Sequence, residues 1–441
     1  MTSESTPDQG LRSSLEARLR GLQVFVPWRG KTLFSILPSS WGLEVRQGFP
    51  PKDLSTGLVV LPFPFSAELS FMRQAFSELA AAWSEDLSTA AAEGRVRIVL
   101  DASAEGFEHT RPKTRCIHQG LAELGVPLHR AVIITQERNY QADYAHWLAE
   151  RDFDEGVRVL NYDYWIKLYH SLFEDNGERT YLRRAKHFRR RLPERSRRFV
   201  SLNMTVRPSK LLFLLSLVRD GLWDRGHVSF GGLYRKASQF HPDDQQRLST
   251  AYFEDKITQP GPLQALGQEL APYLPELELK EQILFGNIER DPETGLAHKS
   301  PLSHIGLPQF SDSWFTVVTE TEMRARPSRI TEKPFTPLAY FQPFIVFGNP
   351  GALAQIRELG YATFDGVIDE SYDQIEEPAL RFRTAYREFR RLCRFTEPEW
   401  GKLEKRLRET LDFNARWAMT QLPGIYRDRL DTELLAQIFA D

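Results

Sequence analysis

The sequence predicts an α/β protein built from two successive sheet-and-helix domains with a helical tail. Three observations predict it. Short β-branched apolar runs alternate with longer helical patterns, which is the signature of βαβ units on a mainly parallel sheet. The alternation is broken by an arginine-rich stretch around Pro193 and then restarts. The 441 residues also exceed the roughly 250–300 at which a single core stops growing.

In chain order, the polar start MTSESTPDQG lacks the apolar core of a signal peptide, and residues 1–20 are expected as a disordered lead-in. A first domain, 21–181, is expected to carry strands at 57–63, 95–101, 130–136 and 157–162. Between them, AELSFMRQAFSELAAAW and TRCIHQGLAELG have the i, i+3, i+4 apolar spacing of helices that cover a sheet face. Residues 182–198, where arginines crowd around Pro193, are expected to form a basic linker able to face phosphates or the inner face of a membrane.

A second domain, 199–375, restarts the rhythm with RFVSLNM as a strand, SKLLFLLSLVRDGL as a helix and GHVSFGGL as the next strand. WFTVVTET and PFIVFG follow as strands, and residues 376–441 read as a tail of long amphipathic helices.

Composition narrows the function classes. A formal net charge of −2 argues against a chain dominated by a polyanionic partner, so nucleic acid is disfavoured and basic function must be local. Cys116 and Cys393 are too far apart in sequence to suggest a disulfide framework or a zinc site, and Cys116-Ile117-His118 is weak as a ligand pair. No apolar run approaches the ~20 residues of a membrane span, so a cytoplasmic protein is expected. The 12% aromatic content fits sugar stacking and core packing equally well.

The stretch that points to chemistry is Thr331-Glu332-Lys333. Two helix starts fit it: Thr331 as N-cap with Pro334 in the first turn, or Thr336 as N-cap with Pro337 at the first helical position. Either puts Glu332 and Lys333 near the positive end of a helix at the carboxyl edge of a sheet, where open α/β sheets bind ligands. A lysine beside free N–H groups suits a phosphate, and a glutamate suits sugar hydroxyls; ordinary capping charges are the plain alternative.

In the order of its segments, RRFVSLNMTVRPSKLLFLLSLVRDGL, WFTVVTETEM and ITEKPFTPLAYFQPFIVFG, the chain resembles the donor-binding half of the fucosyltransferase-type glycosyltransferases over about residues 198–350. It departs from that family where Thr321 follows Glu320 in place of an Asn-Ser pair, and where Arg329 replaces an aromatic residue.

The resemblance implies a GT-B-like architecture of two Rossmann-like domains facing a cleft. It also implies a nucleotide-sugar co-substrate, a GDP-linked one included, no further cofactor, and metal-independent inverting transfer to a glycan, glycolipid or other macromolecular acceptor. Carried over residue by residue, Arg207 and Lys333 hold the diphosphate, Glu332 contacts a ribose or sugar hydroxyl, Glu320 organises the pocket floor, Thr331 is a further donor-binding residue, and Arg329 adds positive charge.

The acceptor hydroxyl needs a general base, expected from a loop after a first-domain strand. Glu105, beside Gly106, is the first candidate and Asp101 the second, with His109 and His304 in reserve. No metal is expected: Asp152 and Asp154 imitate an Asp-x-Asp motif but follow the helical YAHWLAER. FGNPGALAQIRELGY is a weak nucleotide fingerprint, and GVIDESYD is an acidic cluster that suits sugar hydroxyls or a solvated loop. Two alternatives stand beside the transferase: a non-catalytic nucleotide- or glycan-binding protein on the same fold, and a nucleic-acid-associated factor using the 183–198 arginines.

Overall fold

A computed structural model describes the chain except for residues 1–8, 38–40, 64–67, 105–108, 152, 154, 190–194, 204–206, 237–244, 248, 282–288, 291–296, 299–307, 327 and 441. The chain divides into two compact units. Unit 1 comprises Met1–Leu168 with Pro423–Asp441, and unit 2 comprises Tyr169–Leu422.

Unit 1 is built on six parallel strands: β1 (Gln23–Val26), β2 (Glu44–Gln47), β3 (Gly57–Pro62), β4 (Val96–Ala102), β5 (Ala131–Thr135) and β6 (Arg158–Asn161). Their order is β2-β1-β3-β4-β5-β6. Every residue of β3, β4 and β5 is buried, as a parallel sheet covered on both faces requires. One face packs on the helices Leu69–Ala82 and Arg111–Glu123, which meet closely at Gly120: a Cβ there would come within 2.3 Å of the Phe76 ring.

The last helix, Asp431–Ile438, belongs to this unit rather than to a separate tail. Arg97 of β4 donates to the carbonyls of Ile438 and Ala440 at 3.2 and 2.6 Å, and Arg158 of β6 donates to that of Gln437. Two guanidinium groups thus meet the negative end of the helix. At its start, Asp431 and Lys167 form a fully buried ion pair at 3.0 Å, with the Tyr162 hydroxyl donating to Asp431.

Unit 2 carries β7 (Arg197–Asn203), β8 (Gly226–Phe230) and two short antiparallel pairs, β9 (Tyr234–Lys236) with β10 (Gln245–Arg247) and β11 (Glu289–Arg290) with β12 (Ala297–His298). β13 (Ser313–Thr319) and β14 (Phe344–Phe347) complete a parallel sheet of order β14-β13-β7-β8. Its core is aromatic: Phe199 and Phe315 meet Phe389 of the helix Pro378–Arg394, and Trp314 and Phe315 stack on Trp400 of Glu397–Arg416. These tryptophans are core residues, at 2% and 1% exposure.

Three expectations differ from this architecture. Residues 9–19, expected as lead-in, form a helix whose Leu15 and Leu19 are buried and whose Arg12 pairs with Glu16 and Asp428. Of the expected linker, 182–198, the first part belongs to the helix Gly177–Arg189 and the last two residues to β7, and two of its arginines are used internally. Arg184 donates to Ala339 O and lies over the Tyr340 ring, while Arg195 stacks on Trp314 at 4.0 Å and pairs with Glu404 at 2.5 Å. The expected tail is divided: Glu397–Arg416 belongs to unit 2 and Asp431–Ile438 to unit 1, with π-helical turns at Trp417–Gln421 and Tyr426–Leu430 between them.

Among the described residues no helix is long and apolar enough to cross a membrane. Asp152, Asp154, Glu105 and His304 lie outside the described residues.

Candidate functional site

The site lies in unit 2, where β7 and β13 end and the helix Pro208–Arg219 begins. That helix is buried from Ser209 to Val218 and, Ser216 aside, apolar from Leu211 to Val218, as expected of a helix enclosed within a domain. Pro208 occupies its first turn, where a missing N–H costs nothing and the fixed φ favours the helix. The amides of Ser209 and Lys210, at the second and third helical positions, have no acceptor within the helix itself. The Ser209 hydroxyl reaches across to the Glu320 carbonyl at 3.3 Å and ties the helix start to the end of β13.

Glu320, 2% exposed, organises the facing loop. Its carboxylate accepts the Thr331 amide at 3.0 Å and the Thr331 hydroxyl at 2.8 Å. The Lys333 ammonium donates to the same hydroxyl at 2.7 Å and stands 3.5 Å from Glu320 and 3.8 Å from Glu332. Lys333 and Glu332 side chains are each 26% exposed, so both reach solvent from a buried footing.

The helix after Thr331-Glu332-Lys333 begins at Phe335, two residues earlier than the later expected register, with Pro334 as its N-cap, and spans only Phe335–Ala339. Neither expected N-cap, Thr331 or Thr336, holds that position. The longer helix whose start faces these charges is Pro208–Arg219.

The expected donor residues separate into three groups. Glu320, Thr331, Glu332 and Lys333 are in direct contact. Arg207 is exposed at the N-cap of the Pro208 helix, with its charge felt by the neighbouring Lys210. Arg329 is buried, at 4% exposure, in the segment leading to Thr331.

Lys210 was not expected. It is 6% exposed, and burial together with the charges of Lys333 and Arg207 pushes its pKa down to about 7, against the weaker pull of Glu320 and Glu332. The signal was present in RPSKLLFLLSLV: a lysine at the third position of a helix otherwise without charge up to Val218.

Behind the site, Arg381, 2% exposed, holds three connections together. It donates to Gly348 O and Glu376 O, both at 3.0 Å, and to the carbonyl of Met323. Gly348 in turn packs where a Cβ would lie 3.2 Å from Glu320 Cβ.

The other motifs are used differently. At FGNPGALAQIRELGY, the first amides of the helix Ala352–Glu358 are occupied: Leu353 and Ala354 donate to the Asp373 carboxylate at 3.0 and 3.3 Å. An internal anion already sits where a phosphate would bind. The cluster GVIDESYD is likewise built in, with Glu370 pairing with Arg357 at 2.5 Å and accepting the Phe364 amide at 2.6 Å.

A cavity of about 300 Å³ elsewhere in unit 2 is lined by Arg219, Glu269, Arg383, Tyr386 and Arg390. Arg387 and Arg394 line it too; Arg219 and Arg383 both pair with Glu269 at 2.7 and 2.8 Å, and Arg390 with Asp220 at 3.4 Å.

In unit 1, Asp101 closes β4 at 1% exposure. Its carboxylate accepts the Leu33 amide at 2.6 Å, the Ser103 amide at 3.0 Å and the Ser103 hydroxyl at 2.6 Å. Burial raises its pKa while these hydrogen bonds oppose the rise. The geometry is that of a carboxylate holding two backbone segments. His109 is set edge-on to Tyr140 at 5.4 Å and its pKa is lowered by burial. His118 is bonded to the Tyr144 hydroxyl at 2.8 Å and packed by Trp147, and Cys116 and Cys393 are free and buried.

The chain matches no protein-family model, and no curated protein matches it.

Proposed function

We propose that this protein is a glycosyltransferase that binds a nucleotide-sugar donor through its diphosphate at the start of the Pro208–Arg219 helix. The observation that carries the reading is the meeting of Arg207, Lys210 and Lys333 with Glu320 and Glu332 at the carboxyl edge of a parallel sheet. A diphosphate gains charge as the glycosidic bond breaks, so fixed cations there stabilise the transition state more than the ground state. In this reading Glu332, a quarter exposed, accepts hydrogen bonds from ribose or sugar hydroxyls. Glu320, already engaged by Thr331, keeps Lys333 in place.

The GT-B-like pairing of the two units and the macromolecular acceptor belong to the same proposal. So does Glu105 as the base for the acceptor hydroxyl. The nucleic-acid alternative loses support because Arg184 and Arg195 are spent on internal contacts.

Thermal-shift titration of the wild type and Lys333→Ala with a panel of nucleoside diphosphates and nucleotide sugars tests the reading. A ligand at about 100 times its dissociation constant stabilises by about 2.7 kcal/mol. Stabilisation of the wild type by one nucleotide, lost in Lys333→Ala, is the expected result. A flat response across the panel in the wild type would sink it.

A further inference from the structure

Lys210 is an unusual place for a positive charge. It is 6% exposed, on a helix otherwise without charge up to Val218, and its ammonium forms no hydrogen bond or ion pair within bonding distance of a described residue. The charged groups facing it are Arg207 from the start of its own helix, Glu320 from the end of β13, and Glu332 and Lys333 from the following loop. Glu320 is committed to Thr331, and Lys333 stands 3.5 Å from Glu320 and 3.8 Å from Glu332. A buried ammonium between two other cations is costly in the empty site, and it either gives up its proton or acquires an anion.

We propose that Lys210 is a further donor-binding residue and that it couples diphosphate binding to proton uptake. In the empty site it is largely a neutral amine above neutral pH. An entering phosphate oxyanion supplies the missing counter-charge, a proton passes from solvent to the amine, and the ammonium donates to a phosphate oxygen. The free amides of the helix's first turn face the same anion. Release of the diphosphate returns the proton to solvent. Donor affinity therefore falls as pH rises from 7 towards 9. This inference rests on the reading of the site as a diphosphate site.

The test is calorimetric titration of the full chain with inorganic pyrophosphate at pH 8, in HEPES and in Tris, whose ionisation enthalpies differ. The wild type, Lys210→Met and Lys210→Arg are compared, so that protonation of the pyrophosphate itself cancels between proteins. The wild type is expected to take up close to one proton more than either variant. Its affinity is expected to weaken by up to about tenfold per pH unit above 7 relative to Lys210→Arg, whose charge is fixed. Should Lys210→Met not fold, the arginine variant carries the comparison alone. Equal proton uptake in wild type and variants, with pyrophosphate bound to all, would overturn the role of Lys210 and leave the diphosphate site standing. Absence of pyrophosphate binding to the wild type would overturn both.

Discussion

At the carboxyl edge of the first sheet Asp101 is buried and accepts three hydrogen bonds; at the carboxyl edge of the second, Lys210 is buried and makes none with a described residue. Asp163 near the end of β6 likewise has Arg138 at 2.6 Å, and Lys167 has Asp431 at 3.0 Å. At the second, three cations stand among two carboxylates, one of which is engaged by Thr331. Buried charge that is matched holds segments of chain together, whereas buried charge left short of a partner marks a candidate site for a group from outside the chain.

The comparison breaks most visibly where a matched charge is removed. Lys167→Met leaves the fully buried Asp431 without its cation, and about 3–5 kcal/mol of stability is expected to be lost, read as the shift of the denaturation midpoint. The double variant Lys167→Met/Asp431→Leu is expected to recover most of that loss. A single variant as stable as the wild type would mean that the pair is not what holds the last helix to unit 1.

The unmatched charge has the opposite signature. Because the folded state holds Lys210 near 7, below its ordinary value, the unfolded chain binds the proton first. Stability without ligand therefore rises with pH above 7, by up to 1.4 kcal/mol per unit from this group. Lys210→Met removes that dependence. Relative to wild type it is expected to be more stable at pH 6 than at pH 9 by about 2 kcal/mol. Parallel pH profiles for the two proteins would show that the amine is solvated.

Much of the fold was legible in the sequence because strands of a parallel sheet buried on both faces are near-continuous apolar runs: GLVVLP, AVIIT and SWFTVVT announce themselves. β1 and β2 were not, since QVFV is four residues long and EVRQ is an exposed edge without alternation. The first helix was hidden by polar residues that find partners far along the chain, Arg12 with Asp428 among them. The 182–198 stretch read as solvated because arginine is usually so; only the packed structure puts the Arg195 guanidinium on the Trp314 ring.

Within the candidate site, Thr331-Glu332-Lys333 stood out because charge at the mouth of a buried element is a local anomaly. The importance of Lys210 is not local. Its burial depends on the end of β13 and on a loop more than a hundred residues away, and no reading of RPSK alone supplies those. The same holds for Asp373, which closes the amides of a helix twenty residues upstream in sequence and removes a second apparent phosphate site.

Asp101 gives the smallest effect and separates the two edges most sharply. Asn at this position keeps the shape of the side chain but turns one acceptor into a donor facing the amides of Leu33 and Ser103 or the Ser103 hydroxyl. About 1–2 kcal/mol of stability is expected to be lost, because at least one buried donor goes unsatisfied. Turnover per folded molecule with the donor found in the nucleotide panel is expected to stay within severalfold of wild type. Glu105→Gln is expected to reverse the pattern, with an unchanged melting temperature and turnover reduced by about 10²–10⁴, the usual contribution of a general base. If Asp101→Asn alone abolishes turnover at unchanged stability, the carboxylate that closes β4 is the base, and the first edge is as functional as the second.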